Sequence, residues 1–229
     1  RSSDLMGAVT SRMTHSKPNM AQVTSNGKPY GTEMRSCWTV PDGYKLVGTD
    51  ADGLELCMLA HYMNDPEYIK AVTEGSKEDK TDVHSINQRA AGLPTRDTAK
   101  TFIYAYLYGA GDEKIGSIAG TDRKGGRALK ARFLKKTPAL KSLRDRVESA
   151  SRRGYLLGLD KRKVEVRSSH AALNTLLQSA GAIVMKRALI LAYDKATEEG
   201  LDFKMVGNIH DEYQCEVRAS DAPRWSEIA

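Results

Sequence analysis

The sequence has few cysteines and lacks the long apolar runs that membrane proteins need. Its three cysteines, Cys37, Cys57 and Cys215, are odd in number and far apart, so they indicate neither a disulfide framework nor a metal-binding pair. No run approaches the ~20 apolar residues of a membrane span, and the first residues lack the apolar core of a signal peptide. These absences exclude a disulfide-rich secreted scaffold and indicate a reducing compartment with no membrane partner.

Charge is present in abundance but is unevenly distributed. The 229 residues are 40% hydrophobic and 28% charged, which is an ordinary globular composition with room for one large domain or two small ones. Residues 121–167 hold 16 Lys and Arg against 5 Asp and Glu, although the whole chain has a net charge of only +6. A basic segment joined to an acidic remainder indicates a polyanionic partner and a separate carboxylate site. A solvated helix face is the alternative interpretation of such a charge run.

Local patterns predict both strands and helices. Lys45–Thr49 is expected to be a buried strand that ends at Asp50. A helix is expected over 54–63, with one apolar side formed by Leu56, Leu59, Ala60 and Met63. The other expected elements are a loop-rich lead-in over 1–30, a short helix over 82–92, a helix over 95–109, a basic helix over about 124–150, a hairpin over 155–168, a long and mostly buried helix over 170–200 and a final hairpin over 203–217.

Three carboxylates lie at the ends of predicted strands. Asp50 follows the first strand, and Asp211 with Glu212 stands at the apex of the final hairpin. If the two strands are neighbours in one sheet, these side chains converge. Mg²⁺ prefers hard oxygen ligands and commonly takes one or two protein carboxylates plus substrate phosphates, and two such ions can promote phosphoryl transfer. The alternative is that Asp50 caps the next helix and Asp211 forms a turn.

The helix over 95–109 carries an unusual face. Arg96, Lys100, Tyr104 and Tyr108 follow at intervals of four residues, so two cations and then two aromatic rings share one side. A cation near a helix N-terminus opposes the helix dipole, so helix stability does not explain Arg96. A triphosphate held by the cations, with an aromatic ring stacked on its base or sugar, does explain it. A solvated charged stripe is the alternative. The opposite, packing side is expected to hold Ala99, Phe102 and Tyr106.

These segments also carry a family resemblance. TDADGLEL at 49–56, RDTAKTFIYAYLYGAG at 96–111 and HDEYQ at 210–214 resemble the three polymerase motifs of the family A DNA polymerases. GAVTSRMTHSKPNMAQV, GDEKIGSIAG and HAALNTLLQSAGA resemble the replicative polymerases of short-tailed lytic phages within that family. The resemblance implies an α+β fold with an antiparallel palm sheet and mainly helical fingers. It implies a first palm part over 1–63, fingers over 64–154, and a second palm part over 155–229 that is truncated at its C-terminus.

The resemblance also assigns roles at the carboxylates. Asp50 and Asp211 would hold two Mg²⁺ ions with the Ala51 carbonyl as a backbone ligand, and Glu212 would contribute more weakly beside them. Asp52 departs from the phage pattern, which usually has a small hydroxyl residue there, and adds a carboxylate two positions from Asp50.

Further roles concern the incoming nucleotide. The resemblance implies that Arg96, Lys100 and His84 bind the triphosphate and that Lys100 also donates a proton to pyrophosphate. Tyr104 would stack on the sugar and base, and Glu55 would press against the C2′ position of the deoxyribose.

The remaining roles concern DNA. Arg12 and Gln178 would contact the minor-groove edge of the primer-terminal pair, with His170 and Asn174 close by. Tyr108 would lie near the templating position, and His210 would help to position the primer end.

The implied partners are primer-template DNA and dNTPs, used in phage DNA replication in the cytoplasm of the infected host cell. A processivity partner, where one exists, would bind a thumb expected to lie upstream of residue 1. Without that thumb, the chain alone is expected to be a weak or inactive polymerase. Two alternatives remain: a polymerase remnant that only binds nucleic acid, and a single-subunit RNA polymerase, against which Glu55 argues because its bulk would exclude a ribose hydroxyl.

Overall fold

The computed structural model describes residues 2–4, 7–17 and 19–229. Residues 1, 5, 6 and 18, which belong to the predicted lead-in, lie outside the described part. The strands are β1 (Ser2–Asp4), β2 (Thr14–Ser16), β3 (Tyr44–Asp50), β4 (Tyr155–Leu157), β5 (Lys163–Glu165), β6 (Phe203–Ile209) and β7 (Glu212–Arg218). The helices are α1 (Gly31–Ser36), α2 (Leu54–Met63), α3 (Pro66–Thr73), α4 (Val83–Ala91), α5 (Arg96–Leu107), α6 (Asp112–Ile118), α7 (Arg123–Lys136), α8 (Pro138–Ser151), α9 (Ala172–Glu198) and α10 (Ala222–Ile228).

The chain divides into two compact units. The first unit contains the described residues up to Leu54 together with Ser179–Ala229, and the second unit is Glu55–Gln178. These divisions differ from the predicted palm and fingers boundaries at 63/64 and 154/155, and the palm and fingers assignment stays a prediction. The mixture of helices with antiparallel sheet confirms the predicted α+β class.

An antiparallel sheet of order β3-β7-β6 organises the first unit. Side chains alternate along β7, so that Tyr213, Cys215 and Val217 point to one face and are buried. They form a core with Trp225 of α10 and Ala196 of α9. Burial raises the pKa of the Cys215 thiol to about 12. Glu212, which alternates with Tyr213, belongs to the opposite face of the sheet.

Strand β3 begins and ends as expected, but the prediction that it is buried is wrong. It forms an edge of the sheet, and only Val47 packs against the first-unit core. Leu46 is 41% exposed, and Asp50 is exposed as well. An apolar strand sequence is typical of a buried strand, but an edge position leaves one of its faces uncovered.

Helices form the core of the second unit. The predicted apolar side of α2 is confirmed, since Leu56 and Leu59 are buried with their neighbours in a core that also holds Phe102 and Phe133. The rings of Phe102 and Phe133 meet edge to face, with centroids 5.0 Å apart. Thr95 caps α5 by accepting from the Thr98 N–H. The short hairpin of β4 and β5 is also confirmed.

The single basic helix predicted over about 124–150 is two helices. Helix α7 ends at Lys136 and α8 begins at Pro138. Proline lacks an N–H and disfavours the helical conformation in the residue before it, and Thr137 accordingly has φ −126° and ψ 71°. The ring of Pro138 suits the first turn of α8, because a backbone N–H in that turn would have no helical partner.

Helix α9 is long, as predicted, but it is less buried than expected. Leu176 and Leu177 are buried near its start, whereas Ile190 and Leu191 are about half exposed. The stretch Ser169–Glu198 is long and apolar enough to cross a membrane by length and composition, with a mean hydropathy of 1.3 over an 18-residue window that is 44% buried. The core helix of a soluble protein passes the same test, so the absence of a membrane partner stays a prediction.

Candidate active site

Strand pairing in the first unit brings the predicted carboxylates to one end of the sheet. Strands β6 and β7 are joined by a turn at His210 and Asp211, and His210 has the left-handed φ of +56°. Strand β3 pairs with β7 so that Asp50 lies opposite Glu212. The backbone N–H of Ala51 donates to the Asp211 carbonyl over 3.1 Å. The condition set by the sequence, that the two strands are neighbours in one sheet, is therefore met, and the backbones at Asp50, Asp211 and Glu212 lie at the same end of that sheet.

Asp211 and Glu212 each accept hydrogen bonds from a side chain. Arg12 donates to both carboxylate oxygens of Asp211, at 2.7 and 3.0 Å, and the two side chains are only 15% and 16% exposed. A paired guanidinium and carboxylate of this kind is a strong, directional contact. Glu212 accepts a hydrogen bond from the Gln214 side chain. A Cβ at Gly48 would fall on the Glu212 side chain, so glycine leaves room for that carboxylate.

The donor atoms suit a hard divalent cation. Within the described ranges, no group of three or more His, Cys, Asp or Glu side chains is arranged to hold a metal ion. The carboxylates of Asp50 and Asp211, with the Ala51 backbone next to Asp50, nevertheless match a common pattern. In that pattern, Mg²⁺ binds one or two protein carboxylates and completes its coordination with water and substrate phosphates. Asp50 and Asp211 fit such an ion by the chemistry of their oxygens.

In the second unit, Arg96 is fixed by an acidic residue that the sequence argument did not select. Asp82 is buried and accepts from the Arg96 Nε at 2.8 Å and from the Ser85 N–H at 3.0 Å. Burial acts to raise the pKa of Asp82, but the hydrogen bonds from Ser85 and Arg96 outweigh it and hold that pKa below its ordinary value. Asp82 thus caps α4 and orients the guanidinium at the start of α5.

The rest of the predicted cation–aromatic face lies along α5. Lys100 is exposed and Tyr104 is half-buried, whereas Ala99 on the other side is fully buried. His84 of α4 is buried, and its ring centroid lies 6.2 Å from that of Tyr104. In the second unit, Arg96, His84 and Tyr104 therefore lie where α4 packs on α5. Lys100 lies on α5 as well.

Glu55 and Tyr108 are joined directly. The Tyr108 hydroxyl donates to the Glu55 carboxylate over 2.9 Å. Glu55 lies in the first turn of α2, and Tyr108 closes α5 as its C-cap. The structure thus links two predicted site residues that are 53 positions apart.

The three DNA-contact residues predicted near α9 share one side of that segment. His170 precedes the helix, and Asn174 and Gln178 follow at intervals of four residues. Both stay half-buried, although Leu173 and Leu177 beside them are buried. His170 also lines a cavity of about 260 Å³ together with Lys130 and Arg144.

Asp82 and Lys186 contact residues of the candidate site or their neighbours, and neither was predicted from the sequence. Asp82 stands before a predicted helix, which signals a cap, but nothing local signals its pairing with Arg96. Lys186 donates from α9 to the Ser11 carbonyl over 2.8 Å. The sequence feature that could have drawn attention to Lys186 is its position, with Arg187, inside the otherwise apolar run from Ala180 to Leu191.

Known proteins agree with this architecture. The family model of DNA polymerase family A matches residues 2–229. The structure is similar to the POL domain of Pol1 from M. smegmatis, solved in complex with DNA primer-template and dNTP, with a TM-score of 0.86 and 20% identity. That match covers 99% of this chain and 43% of the other.

Curated relatives include phage and bacterial polymerases. The DNA-directed DNA polymerases of Enterobacteria phage T3 and Escherichia phage T7 are each 44% identical over 247 residues, covering 94% of this chain and 34% of the relative. DNA polymerase I of Pseudomonas aeruginosa is 26% identical over 92% of this chain and 25% of its own length. The chain thus spans about a third of the length of its phage relatives. It belongs to DNA polymerase family A, and the resemblance predicted from its motifs is confirmed.

Proposed function

We propose that the chain is the catalytic region of a template-directed DNA polymerase, which adds dNTPs to a primer 3′ hydroxyl during phage DNA replication. The observation that carries this proposal is the pairing of β3 with β7, which places Asp50 beside Asp211 and Glu212 at one end of the sheet. The phage relatives at 44% identity, named as DNA-directed DNA polymerases, support it.

Asp50 and Asp211 would hold two Mg²⁺ ions, with the Ala51 carbonyl as a further ligand and Glu212 beside them. When bound, the ions would activate the primer hydroxyl and neutralise charge on the departing pyrophosphate. The chain's own contribution at this point would be to hold the two carboxylates at one end of the sheet. The pairing of β3 with β7 and the hydrogen bond from the Ala51 N–H to the Asp211 carbonyl support this role.

Residues of the second unit would bind the nucleotide. Arg96 and Lys100 would attract and orient the triphosphate with His84, and Lys100 would donate a proton to the pyrophosphate oxygen. Orientation of this kind lowers the barrier because the reacting groups no longer have to find each other. The hydrogen bond from Tyr108 would hold Glu55 in place to exclude a 2′ hydroxyl, and Tyr104 would stack on the sugar and base.

Primer-template DNA would be the main partner. Arg12, Asn174, Gln178, His170 and His210 would contact the primer end and its base pair, and the cations of 121–167 would bind the backbone. A processivity partner and a location in the cytoplasm of the infected host cell are further parts of this proposal.

Primer extension by the full-length protein tests it. On a defined template we expect incorporation of the complementary dNTP only, with no extension when Mg²⁺ is chelated. Preferential incorporation of ribonucleotides would instead support an RNA polymerase. Tight binding of primer-template without extension of the primer would support a nucleic-acid-binding remnant.

A further inference from the structure

Arg12 is presented to Asp211 by a tight, buried turn of the first unit. The Ser11 N–H donates to the Ala8 carbonyl over 2.8 Å, and the Ala8 N–H donates back to the Arg12 carbonyl over 3.3 Å. Ser11 has a left-handed φ of +65° and is only 4% exposed. A serine in this conformation is strained relative to extended or helical backbone. The turn therefore needs contacts that hold it in this shape.

Lys186 supplies such a contact. Its ammonium group donates to the Ser11 carbonyl over 2.8 Å in a partly buried position. A lysine inside the apolar run of α9 costs desolvation energy unless it makes a contact of this kind. The bond ties the residue next to Arg12 to a rigid helix, 175 positions away along the chain.

We propose that Lys186 is a positioning residue that acts through Ser11 to set Arg12 against Asp211. The inference rests on the proposed function, in which Asp211 holds a divalent cation. Arg12 donates to both carboxylate oxygens of Asp211, so a cation that binds those oxygens competes with the guanidinium for their lone pairs. The placement of Arg12 therefore sets how tightly Asp211 can bind a cation before DNA arrives.

This competition predicts how each variant changes the affinity of Asp211 for the cation. Arg12→Ala removes the competitor and raises the affinity for the cation. Lys186→Met releases the turn, weakens the Arg12 contact and raises the affinity by a smaller factor. Lys186→Arg keeps a donor and a positive charge, so it preserves the turn. Arg187→Met is the matched control, because Arg187 is the adjacent cation on α9 and is exposed.

Mn²⁺ binding to the DNA-free full-length protein, measured by electron paramagnetic resonance, is the test. We expect Arg12→Ala to tighten Mn²⁺ binding by roughly tenfold and Lys186→Met by roughly threefold, since buried charge contacts contribute on this scale. Lys186→Arg and Arg187→Met should bind like the wild type. In the Arg12→Ala background, Lys186→Met should have no further effect.

Additive effects of Arg12→Ala and Lys186→Met would overturn the proposal, because they would indicate that Lys186 acts by its charge alone. Unchanged or weaker binding in Lys186→Met would also overturn it. Asp211→Asn separates this inference from the proposed function. If Asp211→Asn abolishes the site while Lys186→Met is neutral, only the role of Lys186 fails. If Asp211→Asn binds Mn²⁺ normally, the metal assignment itself is wrong.

Discussion

The proposed stacking of Tyr104 on the sugar and base predicts that its hydroxyl oxygen affects substrate choice. A dideoxynucleotide lacks the 3′ hydroxyl and so leaves polar neighbours unpaired in a closed site, at a cost of roughly 1–3 kcal/mol. The Tyr104 hydroxyl can fill that vacancy, whereas phenylalanine cannot. Because about 1.4 kcal/mol is tenfold in rate, Tyr104→Phe should reduce dideoxynucleotide use by roughly ten- to a hundredfold.

The measurement is the ratio of dideoxy to deoxy incorporation by the full-length wild type and by Tyr104→Phe. Tyr106→Phe is a suitable control, because Tyr106 packs against Phe133 with ring centroids 5.7 Å apart. Equal ratios for the wild type and Tyr104→Phe would show that the Tyr104 hydroxyl has no part in nucleotide selection and that the side chain has a packing role alone.

Glu55 and Tyr108 should act together on sugar selection. Glu55→Ala removes the bulk expected at C2′ and should raise ribonucleotide incorporation by roughly a hundredfold or less, since steric exclusion of one hydroxyl is a contribution of a few kcal/mol. Tyr108→Phe removes the hydrogen bond to Glu55 and should raise ribonucleotide incorporation by a smaller factor. Kinetics with paired dNTP and rNTP substrates measure both. Unchanged discrimination in Glu55→Ala would contradict the role.

Prediction from sequence worked best for residues whose partners are set by local spacing or by a motif. The intervals of four residues placed Lys100 and Tyr104 correctly along α5. The pairing of Asp82 with Arg96 and the contact between Lys186 and Ser11 were not predictable, because they join residues 14 and 175 positions apart. Such contacts depend on how helices pack, which a local pattern does not encode.

One carboxylate, that of Asp82, links helices α4 and α5 through Ser85 and Arg96. The lowered pKa of Asp82 means that its stabilising effect is complete above about pH 4, the ordinary carboxylate value. The effect is lost as the pH falls through the lower, folded-state pKa. Asp82→Asn keeps a cap but removes the charge, so its thermal midpoint should fall less than that of the wild type between pH 6 and pH 3.

Calorimetric scans of the full-length protein across this pH range would measure the difference. Asp97→Asn is the control, since Asp97 is an exposed carboxylate in the first turn of α5, and it should follow the wild-type profile. Identical acid profiles for Asp82→Asn and the wild type would contradict the proposed ion pair. Asp82→Ala should also lose the cap, at about 0.5–2 kcal/mol.

At the level of elements, the ends of helices α4 and α5 were easier to predict than burial. Thr95 and Gly92 mark helix ends through side-chain and left-handed backbone chemistry that the sequence displays. The burial of β3 was mispredicted because an edge strand and a central strand can have the same composition. The break at Pro138 was missed because the basic, helix-favouring residues on both sides continue across it.

For the whole molecule, the cations of the basic segment 121–167 fall into two groups. Some of its cations hold the second unit together: Arg132 donates to the Ala91 carbonyl, and Lys130 pairs with Asp112. Others, such as Lys135 and Lys136 at the end of α7, are exposed. The charge run is therefore partly structural, and only its exposed members are expected to bind phosphates.

Changing Lys135 and Lys136 together to alanine should weaken DNA binding by the same factor for every DNA sequence. Each lost phosphate contact should reduce the slope of log affinity against log salt by about 0.9. Binding of the full-length protein to primer-template across a salt series gives the slope. Lys195→Ala, a cation outside the segment that pairs with Glu199, should leave it unchanged, and an unchanged slope in the double variant would exclude these lysines from the interface.

The proposed function requires Asp50 and Asp211 to support nucleotidyl transfer, and single-turnover primer extension by full-length Asp50→Asn and Asp211→Asn measures that requirement. Loss of a metal ligand removes several kcal/mol of transition-state stabilisation, so each rate should fall by roughly a thousandfold or more. Primer-template affinity should stay within about a few-fold, because phosphate contacts dominate it. Asp52→Asn, which changes an exposed neighbouring carboxylate, should keep most of the activity. Near-normal extension by Asp50→Asn or Asp211→Asn would show that these carboxylates are not needed for nucleotidyl transfer.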